Sequence, residues 1–179
     1  LHLGDLGFFK LSRFQTWNEQ GVYWLTRFKA GTCVYDLDGA PLDVVAWLST
    51  SDLPQALPVR VGSQQQVSAY LVAAPTPAEA YAKRLAHLKE VARLKQQPLS
   101  LRQRALAAWT IYLTNIPTLT FEQAHVLART RWQIELLFKL WKSEGKVLEC
   151  RSADPIRQQC EGYAKLLVVL IAHWLVLVS

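Results

Sequence analysis

Apolar positions recur along this chain in two rhythms, one of strands and one of helices. Residues 1–4 read as the tail of a strand, with Asp5 where that strand ends. Residues 8–20 carry Phe9, Phe14 and Trp17 at helical spacing and stop at Gly21, a residue that commonly closes helices. The β-branched and aromatic run at 22–28 predicts a strand, and Ala30-Gly31 turns the chain into another at 33–37, closed by Asp38-Gly39. Pro41 opens a short helix to Leu48, and residues 59–62 and 67–74 predict two further strands. Pro77 fits the first turn of a long basic helix to Gln97, with Tyr81, Leu85, Leu88 and Val91 on one stripe and Pro98 beyond its end. A weaker helix at 101–108 leads into a strand at 109–115. Thr120-Phe121-Glu122-Gln123 matches a capping box and starts a helix to Ser143, and a last helix at 155–178 is apolar nearly all round. The pattern is mixed α/β, without an internal repeat or a clear interdomain linker.

With 179 residues and 51% hydrophobic content, the chain fits one domain or one domain with a large insertion, and it can bury a real core. It has no methionine and begins at Leu1, so it reads as an internal piece of a longer protein. The longest apolar run, 166–178, is interrupted by His173. As a helix it spans about 20 Å against a hydrocarbon core of about 30 Å, which predicts a buried helix and no membrane partner. Cys33, Cys150 and Cys160 are an odd set without C-x-x-C spacing, which argues against a disulfide scaffold or zinc knuckle and for a reducing, cytoplasmic setting.

The net charge of +6 is unevenly spread: residues 76–110 hold seven bases against two acids, whereas residues 1–75 hold five against six. A nucleic-acid backbone suits that middle stretch, and so does an ordinary solvated helix face. The chemistry-bearing segment follows it. On a helix with Arg131 at zero, Glu135 falls at about 40°, Lys142 at about 20° and Lys139 at about 80°, with Ile134, Leu137, Leu140 and Trp141 on the far side. One carboxylate thus stands in a stripe of three cations. The spacing is that of a surface helix laced with Glu-to-Lys pairs. It is also that of an oxygen ligand for a hard divalent metal, flanked by cations that hold phosphates. A metal site needs a second carboxylate. Asp5, at a predicted strand end, is the best candidate, and a turn or cap aspartate before Gly7 is the alternative.

The order Asp-Leu-Gly-Phe-Phe (5–9), Gly-Val-Tyr-Trp-Leu-Thr-Arg-Phe-Lys (21–29), Tyr-Leu-Thr-Asn-Ile-Pro (112–117) and Arg-Trp-Gln-Ile-Glu (131–135) through Lys142 resembles a bacterial insertion-sequence transposase. It is similar to the DDE transposases of the insertion-sequence family numbered four, whose signature is Tyr-x2-Arg-x3-Glu-x6-Lys. Arg131, Glu135 and Lys142 match that signature at the right intervals, and Ala128 stands at the Tyr position. The resemblance extends over most of the chain, the middle matching by position more than by motif.

The resemblance implies an RNase H-like catalytic core, partial here: residues 1–29 and 120–179 belong to the core, and a β-rich insertion with a basic helix runs over 30–119. Asp5 becomes the second acidic residue and Glu135 the third, the first lying upstream of Leu1, so that residues 1–179 are expected not to catalyse alone. Asp5 and Glu135 would each ligate metal, with two Mg²⁺ (or Mn²⁺) ions serving in-line cleavage and strand transfer at the ends of the element. Arg131 and Lys142 would grip phosphates of double-stranded DNA, with Lys139 beside them, and a homodimer would hold two ends. Trp109 lies near where a relative stacks a flipped base, although a strand tryptophan also suits a core. The implied setting is the bacterial cytoplasm, at the nucleoid. A non-catalytic DNA-binding remnant and an RNase H-like nuclease are the rival readings.

Other residues read as structural. Trp132 suits core packing better than a DNA channel, the four histidines share no ligand spacing, and Asp36, Asp38 and Asp43 fit turn chemistry.

Overall fold

The computed structural model describes residues 1–50, 54–143 and 152–178. Its elements are β1 (His2–Gly4), a single 3₁₀ turn (Leu6–Phe8), α1 (Leu11–Glu19), β2 (Trp24–Arg27), β3 (Val34–Tyr35), α2 (Val44–Leu48), β4 (Gln55–Val61), β5 (Val67–Pro75), α3 (Ala78–Leu94), α4 (Leu101–Ala107), β6 (Trp109–Thr114), α5 (Phe121–Ser143) and α6 (Pro155–Val178). Leu1–Ala128 and Arg129–Ser179 are two compact units.

The first unit is built on one six-stranded mixed sheet in the order β1-β2-β6-β5-β4-β3. β1 runs parallel to β2, and every other pair is antiparallel. β6 lies in the middle, paired to β2 through Thr26↔Leu113 and to β5 through Leu71↔Leu113. Strands from the stretch 30–119 therefore continue the same sheet as β1 and β2.

Alternation along β6 separates two cores. Ile111 and Leu113 join Phe14, Trp24, Val44, Leu48 and Leu71 on the face covered by α1 and α2. Tyr112 turns the other way and joins Leu25 and Ala124, with Phe121, Leu127 and Ala128 of α5 packed against them. α1 is pinned by Phe14, whose ring stacks on Trp24 at 4.4 Å, and by Asn18, which accepts from Trp24 Nε1 at 2.8 Å and donates to the Ser68 carbonyl at 2.8 Å. Asn115 completes that network by accepting from the Trp24 backbone N–H at 2.9 Å. Pro58 is tolerated inside β4 because β3 is too short to reach it: β3 pairs only with Arg60 and Val61.

Several expectations shift. The helix read over 8–20 is broken into the 3₁₀ turn and α1, because Lys10 is extended, at φ −131°, and leaves Phe9 outside any helix. The strand read over 33–37 is only Val34–Tyr35. Beyond it, Asp36 Oδ1 accepts from the Ala40 N–H at 2.8 Å and folds the chain into a turn closed by Gly39 at φ +88°. Asp43 caps α2 through the Val45 N–H at 3.0 Å. β4 begins four residues before the predicted Val59, at Gln55. The last helix matches its predicted bounds, but much of its apolar surface is exposed rather than buried: Leu167 is 59% exposed and Trp174 64%. No helix among the described residues is long and apolar enough to cross a membrane.

Candidate active site and nucleic-acid interface

The site region in the first unit is set by the parallel pairing of β1 and β2. His2, Leu3 and Gly4 face Trp24, Leu25 and Thr26, so the next positions in line are Asp5 and Arg27. β1 ends at Asp5 because its side chain turns back on the chain: Oδ1 accepts from the Leu6 N–H at 2.6 Å and caps the 3₁₀ turn. The carboxylate is exposed at the C-terminal end of the strand. The cap reading and the strand-end reading of Asp5 thus both describe its place.

Arg27 pairs across the sheet with Tyr112, on the side carrying α5. The Tyr112 hydroxyl lies 3.0 Å from His125 Nδ1 on α5. Burial pushes the Tyr112 phenol above its ordinary value, opposed by the charges of Arg27 and Arg84 and by a hydrogen bond from Arg27.

Arg84 arrives from α3. Its Nη1 donates to Thr76 Oγ1 and to the Trp109 carbonyl, both at 2.9 Å, and its Nη2 donates to Thr110 Oγ1 at 2.9 Å. Burial lowers its pKa, and the neighbouring charge of Arg27 lowers it further. Arg27, Arg84 and Thr110 border a cleft of about 530 Å³ walled by Leu6, Phe28, Leu88 and Trp109. Trp109 is half-buried and packs on the first core, so the core reading of this residue describes part of its surface and the cleft wall another.

The second unit carries the remaining predicted residues on α5, which is one uninterrupted helix from Phe121 to Ser143. Its start is the predicted capping box: the Gln123 N–H donates to Thr120 Oγ1 at 3.3 Å, and the Thr120 N–H to Gln123 Oε1 at 3.1 Å. Helical continuity puts Arg131, Glu135, Lys139 and Lys142 on one stripe. Arg131 is half-buried and Lys139 exposed, while the side chains of Glu135 and Lys142 lie outside the described ones. Trp132, read as core, is 56% exposed, so its ring is not taken up by packing. Ala128, at the signature Tyr position, packs against the core of Tyr112 and Leu25.

The profile of a protein family described as Transposase DDE domain matches residues 1–171. The chain belongs to this family. Among curated proteins it is similar to the transposase for insertion sequence element IS231F of Bacillus thuringiensis subsp. israelensis, 28% identical over 96% of this chain and 40% of that protein. It is also similar to the transposase for insertion sequence element IS1151 of Clostridium perfringens, 26% identical over 100% of this chain and 42% of that protein. The chain therefore spans about two fifths of the length of the transposases it matches. No solved structure matches it.

Sequence reasoning missed Arg27 and Arg84 as members of this region. A signal existed for the first, a charge inside an otherwise aromatic and β-branched strand. None existed for the second, which the pattern places on a basic helix face like its neighbours.

Proposed function

We propose that this chain is part of the catalytic domain of an insertion-sequence DDE transposase, with an RNase H-like core, that cuts and joins DNA at the ends of its element. The observation that carries the reading is that the family match runs through both Asp5 and the Arg131–Glu135–Lys142 stripe. The six-stranded mixed sheet flanked by helices is compatible with that core, residues 1–29 and 120–179 forming it and 30–119 the insertion.

Carboxylate oxygens are hard donors suited to a hard divalent cation. Asp5 offers one at an exposed strand end; among the described residues no group of three His, Cys, Asp or Glu side chains could hold a metal ion. In this reading Asp5 and Glu135 each hold metal, as Mg²⁺ or Mn²⁺. Two such ions supply an activated nucleophile and stabilisation of the leaving oxygen in an in-line displacement. The chain's own cations do the rest: Arg131 and Lys142, with Lys139 beside them, hold backbone phosphates of duplex DNA so that the scissile bond is presented in register. Trp109 offers a ring edge for an unstacked base. A homodimer holding two element ends completes the assembly. Ala128 removes one hydroxyl from the phosphate-gripping set and is the feature that keeps a non-catalytic DNA-binding remnant as the second reading.

Titrating the chain with Mn²⁺ and following free ion by electron paramagnetic resonance tests the metal assignment. Asp5→Asn and Glu135→Gln are each expected to weaken binding about tenfold or more, in line with losing one charged ligand. Unchanged binding in both variants would remove these carboxylates from the metal site.

A further inference from the structure

Two guanidinium groups lining one cleft repel each other unless something negative sits between them. Arg27 and Arg84 are such a pair. Both border the 530 Å³ cleft, and neither has a carboxylate partner among the described residues. The other cations of α3 behave differently: Lys83 is paired with Glu79 at 2.7 Å and Arg93 with Glu90 at 2.7 Å, both on the exposed helix surface.

Arg84 is held in place at some cost. Its guanidinium is half-buried, and three of its five donors are committed to Thr76, Thr110 and the Trp109 carbonyl. Those bonds fix the plane of the group, and the remaining donors have no partner among the described residues. A fixed guanidinium with spare donors, beside an exposed second one, matches the fork geometry by which arginine recognises tetrahedral oxyanions. Thr110 adds a polar group to the cleft's lining, its hydroxyl 3.0 Å from that of Thr76 behind it. The walls formed by Leu6, Phe28 and Trp109 suit the less polar sugar and base attached to a phosphate.

We infer that the cleft bordered by α3 and by residues of β2 and β6 is a phosphate-binding subsite in which Arg27 and Arg84 jointly hold one phosphate oxyanion, carried by a nucleic-acid strand or by a free nucleotide. It rests on the proposed function only for the nucleic-acid source of the phosphate. Arg27 contacts the phosphate from the open side. Arg84 contacts it from the inner side, with a rigidity set by its three hydrogen bonds.

Fluorescence anisotropy of a labelled DNA duplex, read across a salt series, tests this, with thymidine monophosphate and inorganic phosphate as competitors. Arg27→Gln removes an exposed charge and keeps an amide donor in place of the guanidinium that bonds Tyr112, and its urea midpoint checks that the fold is kept. It is expected to weaken duplex binding about tenfold and to lower the slope of log affinity against log salt by about one. Arg84→Lys keeps the charge but loses the fork, and is expected to weaken binding without changing that slope. Millimolar inorganic phosphate or the mononucleotide displacing the duplex from wild type, and not changing the residual binding of Arg27→Gln, also supports the subsite. Mononucleotide binding that depends on Arg27 with no duplex binding supports the subsite and rejects the DNA reading. Wild-type affinity and slope in both variants, with Arg131→Gln impaired, overturns the subsite and leaves the DNA reading standing. Binding of none of the three probes overturns the subsite.

Discussion

Tyr112 shows how one position can serve packing and electrostatics at once. Its ring fills the second core beside Leu25 and Ala124, while its hydroxyl meets His125 and lies in the field of two arginines. Because burial raises its pKa in the fold, the native state keeps the phenol proton to higher pH than the unfolded chain does. The unfolded state then binds fewer protons once pH passes about 10, and stability falls as pH rises from there through the native pKa. Tyr112→Phe is expected to flatten that alkaline loss relative to wild type. Urea midpoints measured from neutral pH to above 10 check it, and parallel pH profiles would contradict it. At this scale the candidate site was only partly readable. The place of Asp5 at a strand end was readable, because an aspartate after a short apolar run and before a glycine has a simple signature. Arg84 was not, because which arginine of a basic helix turns inward depends on Thr76 and Thr110, brought together only by the sheet.

Elements were more readable than residues, and the reason is periodicity. The helix at 155–178 and the strand at 109–115 match α6 and β6 to within a residue, since long patterned runs fix both type and extent. Short elements were misjudged where turn chemistry overrides pattern, as at Lys10 before α1 and Asp36 after β3. The order of strands was not readable at all. β6 pairs with β2 across eighty-odd intervening residues through Leu25↔Thr114, and no local signal announces it. Phe14 is the buried aromatic anchor of α1 on the sheet. Phe14 is 1% exposed and touches the rings of Phe9, Trp17 and Trp24. Phe14→Ala is expected to destabilise the chain by about 3–5 kcal/mol, read from chemical denaturation, because the void it leaves is walled by stiff aromatic groups. A loss below about 1 kcal/mol would mean that α1 is not fixed by this contact.

For the molecule as a whole, charge and topology point the same way. The excess of bases at 76–110 falls on α3, α4 and the segment between them, and one of these bases, Arg84, lines the cleft together with Arg27 of β2 and Thr110 of β6. A uniformly basic surface would attract nucleic acid without choosing where on it to bind. In the proposed reading, the guanidinium pair lining the cleft holds one phosphate of a backbone and the α5 cations hold others. The proposed function joins these features to two carboxylates, and its central claim is that Asp5 and Glu135 do the chemistry. The most direct measurement is nicking of a supercoiled plasmid bearing the element's ends by the transposase carrying this sequence, in Mg²⁺ or Mn²⁺. Wild type is expected to nick, and Glu135→Gln to be slowed by about a hundredfold or more. Cleavage by Glu135→Gln at the wild-type rate would contradict the account.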